Sequence, residues 1–360
     1  MADYKKFISP LRRPVPTPEK LVDDEGRCVF GTFESEFESM EFENARRPTP
    51  VPDVMNKLKL TLWEAAEICF DEGILLAAVS DMGLFGLMFT VFYDRRTKNA
   101  YKWVTNLRSK NAIIAPNLLK GSVSGAYTKD GFVKYVNDLG NGKCSLQGEH
   151  SDERGKSISY DLKLDRISKP SVVSIPFDDN RPLYSQKDFF KAGGKITING
   201  ETIESNENTV AIVDDHRGFY PRRAHYDWVT VMGRNEVSGE KKFFAVNLTR
   251  NQSIDQDAYN ENLIWFPDEI SCLTPVQFMH FPESAKANGR AHWKVRDEHD
   301  MVCVDFDVQD MAEMVVHAKV INIDYYIAFG KVTGYVRDED GNKYILDGLP
   351  AIGEDKSLLF

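Results

Sequence analysis

Hydrophobic and polar positions alternate with a period of two over much of the chain, the spacing of strands that cover one face. Leu58, Leu60 and Leu62 alternate with Lys57, Lys59 and Thr61, and residues 158–164 alternate again. Residues 74–79 and 84–93 are continuous apolar runs, as strands covered on both faces require. Asn199-Gly200, set between Ile196/Ile198 and Thr202, supplies the two positive-φ positions of a type I′ turn and predicts a hairpin over 196–203. A second hairpin is predicted over 335–346, and residues 227–232, 243–248, 301–308, 314–323 and 325–329 read as further strands. Helical signals are few: residues 185–191, residues 281–287, and residues 63–70, where Glu64, Ala65, Ala66 and Glu67 favour helix by propensity. With turns at this spacing and no alternation of strand with helix, the chain is predicted to be mainly β and antiparallel.

Residues 1–54 interrupt that pattern. Pro10, Pro14, Pro16, Pro18, Pro48, Pro50 and Pro52, with acidic residues between Glu34 and Glu43, exclude a long helix or a central strand. This segment is expected to lie as an extended arm over the body, with a short strand within 27–33. Two further regions are expected, 55–205 and 206–360.

Composition narrows the function classes. Of the 360 residues 42% are hydrophobic, enough for a real core, and the formal net charge of −10 disfavours phosphate backbones and anionic lipid. Neither nucleic acid nor membrane insertion is therefore expected; a small-molecule ligand is, and the oligomeric state stays open. The five cysteines are scattered without a CxxC pair, which fits reduced thiols in a cytoplasm. The first 13 residues are charged and carry no apolar signal core. An uncharged run such as Met82 to Tyr93 is far short of the roughly 20 residues of a spanning helix. The seven histidines form no HExxH, and neither a dinucleotide fingerprint nor a Walker loop is present, so no metal and no cofactor is predicted.

Two constellations carry candidate chemistry. Asp214 and Asp215 precede Arg217, Arg222, Arg223, His225, Tyr226 and Trp228; Gly218 and Pro221 place the charges on a loop at the mouth of a strand. In that strand Tyr226, Trp228 and Thr230 share one face, and His225, Asp227, Val229 and Val231 the other. Setting Val229 and Val231 against Val246 and Leu248 leaves Tyr226, Trp228 and Asn247 on a mixed aromatic and polar face, as a ligand cavity needs. In the second constellation Glu261 lies beside Trp265, and an apolar ring against a carboxyl raises its pKa towards that of a general acid. Asp215, Tyr226 and Glu261 are thus the candidate catalytic residues. Arg222, Arg223, Trp228, Asn247, Asn262 and Trp265 are the candidate ligand contacts. The bland alternatives are an aspartate–arginine pair that pins a loop and a glutamate that caps a turn.

The run from Asp214 through Gly218, Pro221-Arg222 and Trp228 resembles the signature of the domain of unknown function 2804 family. Ala245–Leu248, Glu261–Trp265, Ala328–Gly334 and Leu349–Glu354 follow in that family's order. Tyr226 stands where the family more often has Trp, and Ala224-His225 where it tends to have Thr-Arg. The family is similar in outline to lipocalin-like (calycin) proteins that include carotenoid hydratases. The resemblance implies two antiparallel lipocalin-like barrels or half-barrels packed side by side, and a strand rather than a helix over 63–70. It also implies a cofactor-independent enzyme performing hydration, dehydration, isomerisation or cyclisation in a barrel cavity. A non-catalytic carrier and a scaffold with filled barrels are the alternatives.

Overall fold

The computed structural model describes residues 3–281, 291–317 and 322–359. Two antiparallel curled sheets dominate it, with one short helix, Asn56–Lys59, and several 3-10 turns among the described residues. The chain divides into two compact units. The first comprises 14–92 and 102–220; the second comprises 93–101, 221–360 and the chain's first 13 residues.

The first sheet is 13-stranded, with its main path running Asn99–Leu107, Gly86–Asp94, Gly73–Asp81, Thr61–Cys69, Val210–Gly218, Arg181–Ile198, Ser157–Arg166, Lys143–Ser151, Gly131–Asp138, Ser122–Thr128. It curls on itself: the Tyr135 hydroxyl donates to the Ala77 carbonyl at 2.6 Å although their strands lie far apart in that order. The expected strand over 63–70 is Thr61–Cys69. The hairpin at Asn199-Gly200 is present, with φ of 50° and 87° and Ile196 opposite Ile203.

Residues 185–191 are not helical. They lie inside the strand Arg181–Ile198, which pairs with Ser171–Asp178 on one side and Val210–Gly218 on the other. Pairing on both edges and full burial of Phe189 and Phe190 outweigh the local propensity. Of the other predicted helix, Phe281 ends the strand Gln277–Phe281, and 282–287 lie outside the described residues. Asp214, Asp215 and Arg217 also differ from expectation: they sit within the strand Val210–Gly218, not on a loop. That strand belongs to the first sheet, so the sheets part between Gly218 and Arg223 rather than at 205/206.

The proline-rich arm is ordered. Leu21, Val22, Phe33, Phe37, Met40 and Phe42 form a core with Leu60, Val172, Tyr184 and Phe219 in the first unit, and Gly31–Phe33 pairs with Ser171–Asp178. The chain's start belongs to the second unit, where Ile8 joins the core and the buried Arg12 guanidinium donates to the carbonyls of Asn260 and Asn262.

The second sheet is 10-stranded, with the path Glu269–Cys272, Leu263–Phe266, Glu240–Arg250, Arg223–Val237, Pro350–Leu359, Asn322–Arg337, Val302–His317, His292–Arg296, Gln277–Phe281. Val229, Val231, Val246 and Leu248 share its hydrophobic core, as parity predicts. The sheet closes so tightly on Trp293 that a Cβ at Gly353 would stand 2.7 Å from the indole and 2.9 Å from the Trp228 carbonyl oxygen.

Candidate functional site

The inner face of the first sheet carries ionisable groups where a small barrel ordinarily carries aliphatic ones. Glu64 is directly opposite Asp215, and Leu62 opposite Arg217. Gln186 and Tyr184 lie opposite Asp215 and Arg217 on the next strand. Cross-strand partners project to the same side, so these side chains share one face. Period two put Glu64 there because Ala66 and Ile68 occupy its parity, while Trp63 and Ala65 take the other.

Glu64 and Asp215 are both fully buried. Glu64 Oε1 accepts from Asn137 Nδ2 at 2.8 Å across the curl of the sheet. Burial first, and then the neighbouring Asp215 charge, push the Glu64 carboxyl up to about 7, against the polar contacts of Ser124 and Asn137. The Arg217 Nε–H group lies 3.0 and 2.9 Å from the two Asp215 oxygens, and Arg217 Nη1 donates to the Pro116 carbonyl at 2.9 Å. Burial raises Asp215 as well, opposed by the Arg217 charge. Two atoms of this group are buried with no hydrogen-bond partner among the described residues: Glu64 Oε2 and Arg217 Nη2. Buried polar atoms are nearly always paired, so two orphans of opposite character in one cluster stand out.

Beside them stands a second buried set on the same face. Arg166 reaches Glu36 Oε1 at 2.6 Å and Asp188 Oδ1 at 2.7 Å. Gln186 Nε2 donates to Glu36 and to Asp188, each at 2.8 Å, and accepts from the Tyr184 hydroxyl. Burial pushes Asp188 up to about 7. Arg166 Nε and Asp188 Oδ1 pair by charge at 2.7 Å without hydrogen-bond geometry, and the carboxamide of Gln186 ties this set together.

A cavity of about 350 Å³ opens at the Arg217 end. Arg217, Asp81, Leu60 and Leu62 line it, together with Met40 and Phe42 from the arm. The arm thus walls the cavity as well as covering the body. Glu38, Glu41, Glu43 and Lys57 complete a lining that is as charged as it is apolar.

On the opposite face of the same strands, Lys187 Nζ lies 2.9 Å from Asp214 Oδ2 and 2.9 Å from His216 Nε2, which is also 2.9 Å from Ser185 Oγ. Serine, histidine and aspartate meet here, yet Asp214 approaches the same Nε2, at 3.4 Å. A nucleophile relay needs the acid on Nδ1, so this cluster is not a serine triad.

The structure distributes the sequence-predicted residues unevenly. Asp215 is in the first unit with its partner Arg217; the other eight belong to the second unit. Arg222 and Arg223 are exposed at the start of the strand Arg223–Val237. Trp228, Asn247, Glu261, Asn262 and Trp265 come together and are buried. Asn247 Oδ1 accepts from Trp228 Nε1 at 2.6 Å and from the Thr230 hydroxyl at 3.1 Å, and Nδ2 donates to Thr249 Oγ1 and the Glu261 carbonyl. These four bonds exhaust a carboxamide, leaving Asn247 no capacity for a ligand. Asn262 bonds the Thr249 N–H and the Thr274 carbonyl, and Glu261 Oε2 accepts from Asn251. Tyr226 is half-buried; its hydroxyl reaches Glu354 Oε2 at 3.3 Å, Tyr325 donates to the other oxygen, and Lys356 Nζ lies 4.3 Å from the Tyr325 ring.

Glu64, Glu354, Tyr325 and Lys356 were not among the sequence candidates. One signal for Glu64 was available: two glutamates inside an apolar run that must pair on both edges cannot both face solvent. No signal linked Tyr325 to Glu354, since the pairing depends on strand register.

No helix among the described residues is long and apolar enough to cross a membrane. Among curated proteins none matches the chain in sequence. Solved structures do match in fold. A protein described as AttH from Nitrosomonas europaea superposes with a TM-score of 0.51 at 14% identity, covering 84% of this chain and 93% of its own. Kievitone hydratase from Nectria haematococca gives 0.46 at 10% identity, covering 83% and 88%. CghA, solved with Sch210972, gives 0.43 at 8%, covering 83% and 89%. The similarity to the AttH structure is one of fold alone. The family model described as domain of unknown function (DUF2804) matches residues 12–360, and the chain belongs to that family.

Proposed function

We propose that the protein is an acid/base enzyme acting on a small molecule in the cavity of the first unit, through addition or removal of water, isomerisation or cyclisation. The observation that carries this reading is Glu64, pushed up to about 7 and with one unbonded carboxyl oxygen, set behind the cavity wall next to Arg217, whose guanidinium lines the cavity and has one unbonded nitrogen. A carboxyl that titrates near the working pH is available both as acid and, after transfer, as base. Glu64 Oε2 donates a proton to an oxygen or unsaturated carbon of the substrate and later retrieves one. Arg217 Nη2 stabilises charge on the reacting oxygen, held by the bond of its Nε–H to Asp215. Arg217 and Glu64 lie roughly 7 Å apart along the strands, a span that a small molecule bridges. Asp215 is then a positioning residue, and none of these steps requires a bound cofactor. Tyr226 and Glu354 offer a second acid/base pair, in the other unit, without a cavity assigned to them.

Incubation of the protein with a fractionated small-molecule extract in D2O, followed by mass spectrometry, tests this directly. The expected result is a compound that gains deuterium or the elements of water with wild type and not with Glu64→Gln or Arg217→Met. A ligand retained stoichiometrically and recovered unchanged would make the protein a carrier instead.

A further inference from the structure

The end of the second sheet's inner face holds four groups that the acid/base site does not use. Asp227 and Asp355 are directly opposite each other on the paired strands Arg223–Val237 and Pro350–Leu359. Like charges in that register repel unless something positive lies between them. His225 precedes Asp227 by two residues and so shares its face; its Nε2 lies 3.4 Å from Asp227 Oδ2 and its Nδ1 3.8 Å from Asp355 Oδ1. His280 arrives from the edge strand Gln277–Phe281, with Nε2 2.9 Å from Asp227 Oδ1 and Nδ1 3.7 Å from Asp355 Oδ2.

The contact between His280 and Asp227 is short, yet Asp227 Oδ1 and His280 Nε2 are both buried without a hydrogen-bond partner. Asp227 itself is 6% exposed. A close approach without hydrogen-bond geometry is one that two ligand atoms can adopt when both address a common cation. We infer that His225, Asp227 and Asp355, closed by His280, form a site for one first-row divalent cation of the zinc class. A tetrahedral ion with bonds of about 2.0–2.1 Å sets neighbouring ligand atoms roughly 3.3 Å apart, and the two Nε2 atoms stand 3.4 and 2.9 Å from the Asp227 oxygens. Imidazole with carboxylate selects this class over calcium or magnesium. Two carboxylates and two neutral imidazoles also balance the ion's charge.

The surroundings fit a ligand set. The Ser357 hydroxyl lies 3.0 Å from His225 Nδ1, and by accepting from Nδ1–H it supports the tautomer that leaves Nε2 to bind. The His280 ring packs on Trp293 with centroids 4.4 Å apart, which holds its orientation. A cavity of about 380 Å³, lined by His225, Arg223, Asp324 and Ser357, gives access from solvent. Sequence spacing predicted no metal because the four residues come from three strands, and only the curl of the sheet assembles them.

The test uses the full chain, stripped with chelator and titrated with Co²⁺ while visible absorption is recorded. One equivalent is expected to give the intense bands of a four-coordinate ion, displaced by Zn²⁺. His225→Ala and Asp227→Asn are expected to abolish the bands, and Ser357→Ala to weaken binding roughly 10-fold or more. His225 is half-exposed, so its replacement leaves the core intact and decides the matter if Asp227→Asn fails to fold. No stoichiometric cobalt spectrum in wild type, or the same spectrum in folded His225→Ala, overturns the assignment and leaves a proton-sharing ion-pair cluster. Neither result bears on the acid/base reading, whose residues lie in the other unit.

Discussion

Replacing Glu64 by Gln separates the energetic role of this carboxyl from its chemical one. In the fold its pKa is about 7, against an ordinary 4.5, because burial and Asp215 disfavour the anion. The folded state therefore binds the proton more tightly than the unfolded chain. Stability contributed by the protonated group is complete below pH 4.5 and is lost as pH rises through about 7. At about 1.4 kcal/mol per tenfold difference in proton affinity, the loss amounts to about 3 kcal/mol. Gln keeps the oxygen that accepts from Asn137 and places an NH2 group beside Asp215, with no charge to desolvate. Near pH 5 the variant should match wild type closely. At pH 8 it should be more stable by up to about 3 kcal/mol, a rise of roughly 6–12 °C in Tm for a unit of this size. Calorimetric scans of both proteins from pH 5 to 9 measure this. A gap that does not change with pH, or a variant less stable than wild type at both ends, would rule out a raised Glu64 pKa. If Glu64 is also the proton donor, the stabilised variant is inactive.

Three other substitutions probe the framework. Asn247→Ala removes four buried hydrogen bonds and strands the Trp228 N–H and the Glu261 carbonyl, so urea unfolding should show a loss of about 3 kcal/mol or more. Gly353→Ala forces a methyl group against Trp293 and the Trp228 carbonyl, and should cost about 1–3 kcal/mol, seen as a lower Tm. Arg12→Ala takes the guanidinium donor from the Asn260 carbonyl and leaves the Asn262 carbonyl with the Leu273 N–H alone; amide exchange at Ile8 should accelerate at least 10-fold.

Local chemistry made the strands legible. Asn199-Gly200 specified its turn without help from the rest of the chain, and the parity of Val229, Val231, Val246 and Leu248 identified the dry side of the second sheet. Errors arose where pairing overrode local signals. Residues 185–191 look helical in isolation, yet Gln186 and Asp188 are held by Glu36 and Arg166 from distant strands and the arm. Gly218 marks the end of a strand, not a loop that contains Asp215. The candidate site was partly legible: Asp215 was named, but Glu64 was credited to helix propensity, and the arm residues Met40 and Phe42 gave no hint that they wall a cavity. Asn247 shows the converse case, a residue rightly placed on the mixed face whose hydrogen bonds are all made internally. Parity shows which side a residue faces; it does not show what is already bonded there.

Everything proposed for the first sheet depends on Glu64 holding a proton near neutral pH. Difference infrared spectroscopy of the carboxyl stretch, titrated from pH 4 to 9 with Glu64→Gln as the reference, observes that proton directly. The expected result is a protonated carboxyl band that disappears with a midpoint of about 7 and is absent from Glu64→Gln. A wild-type carboxyl titrating near 4.5, or an unchanged band in the variant, would contradict it.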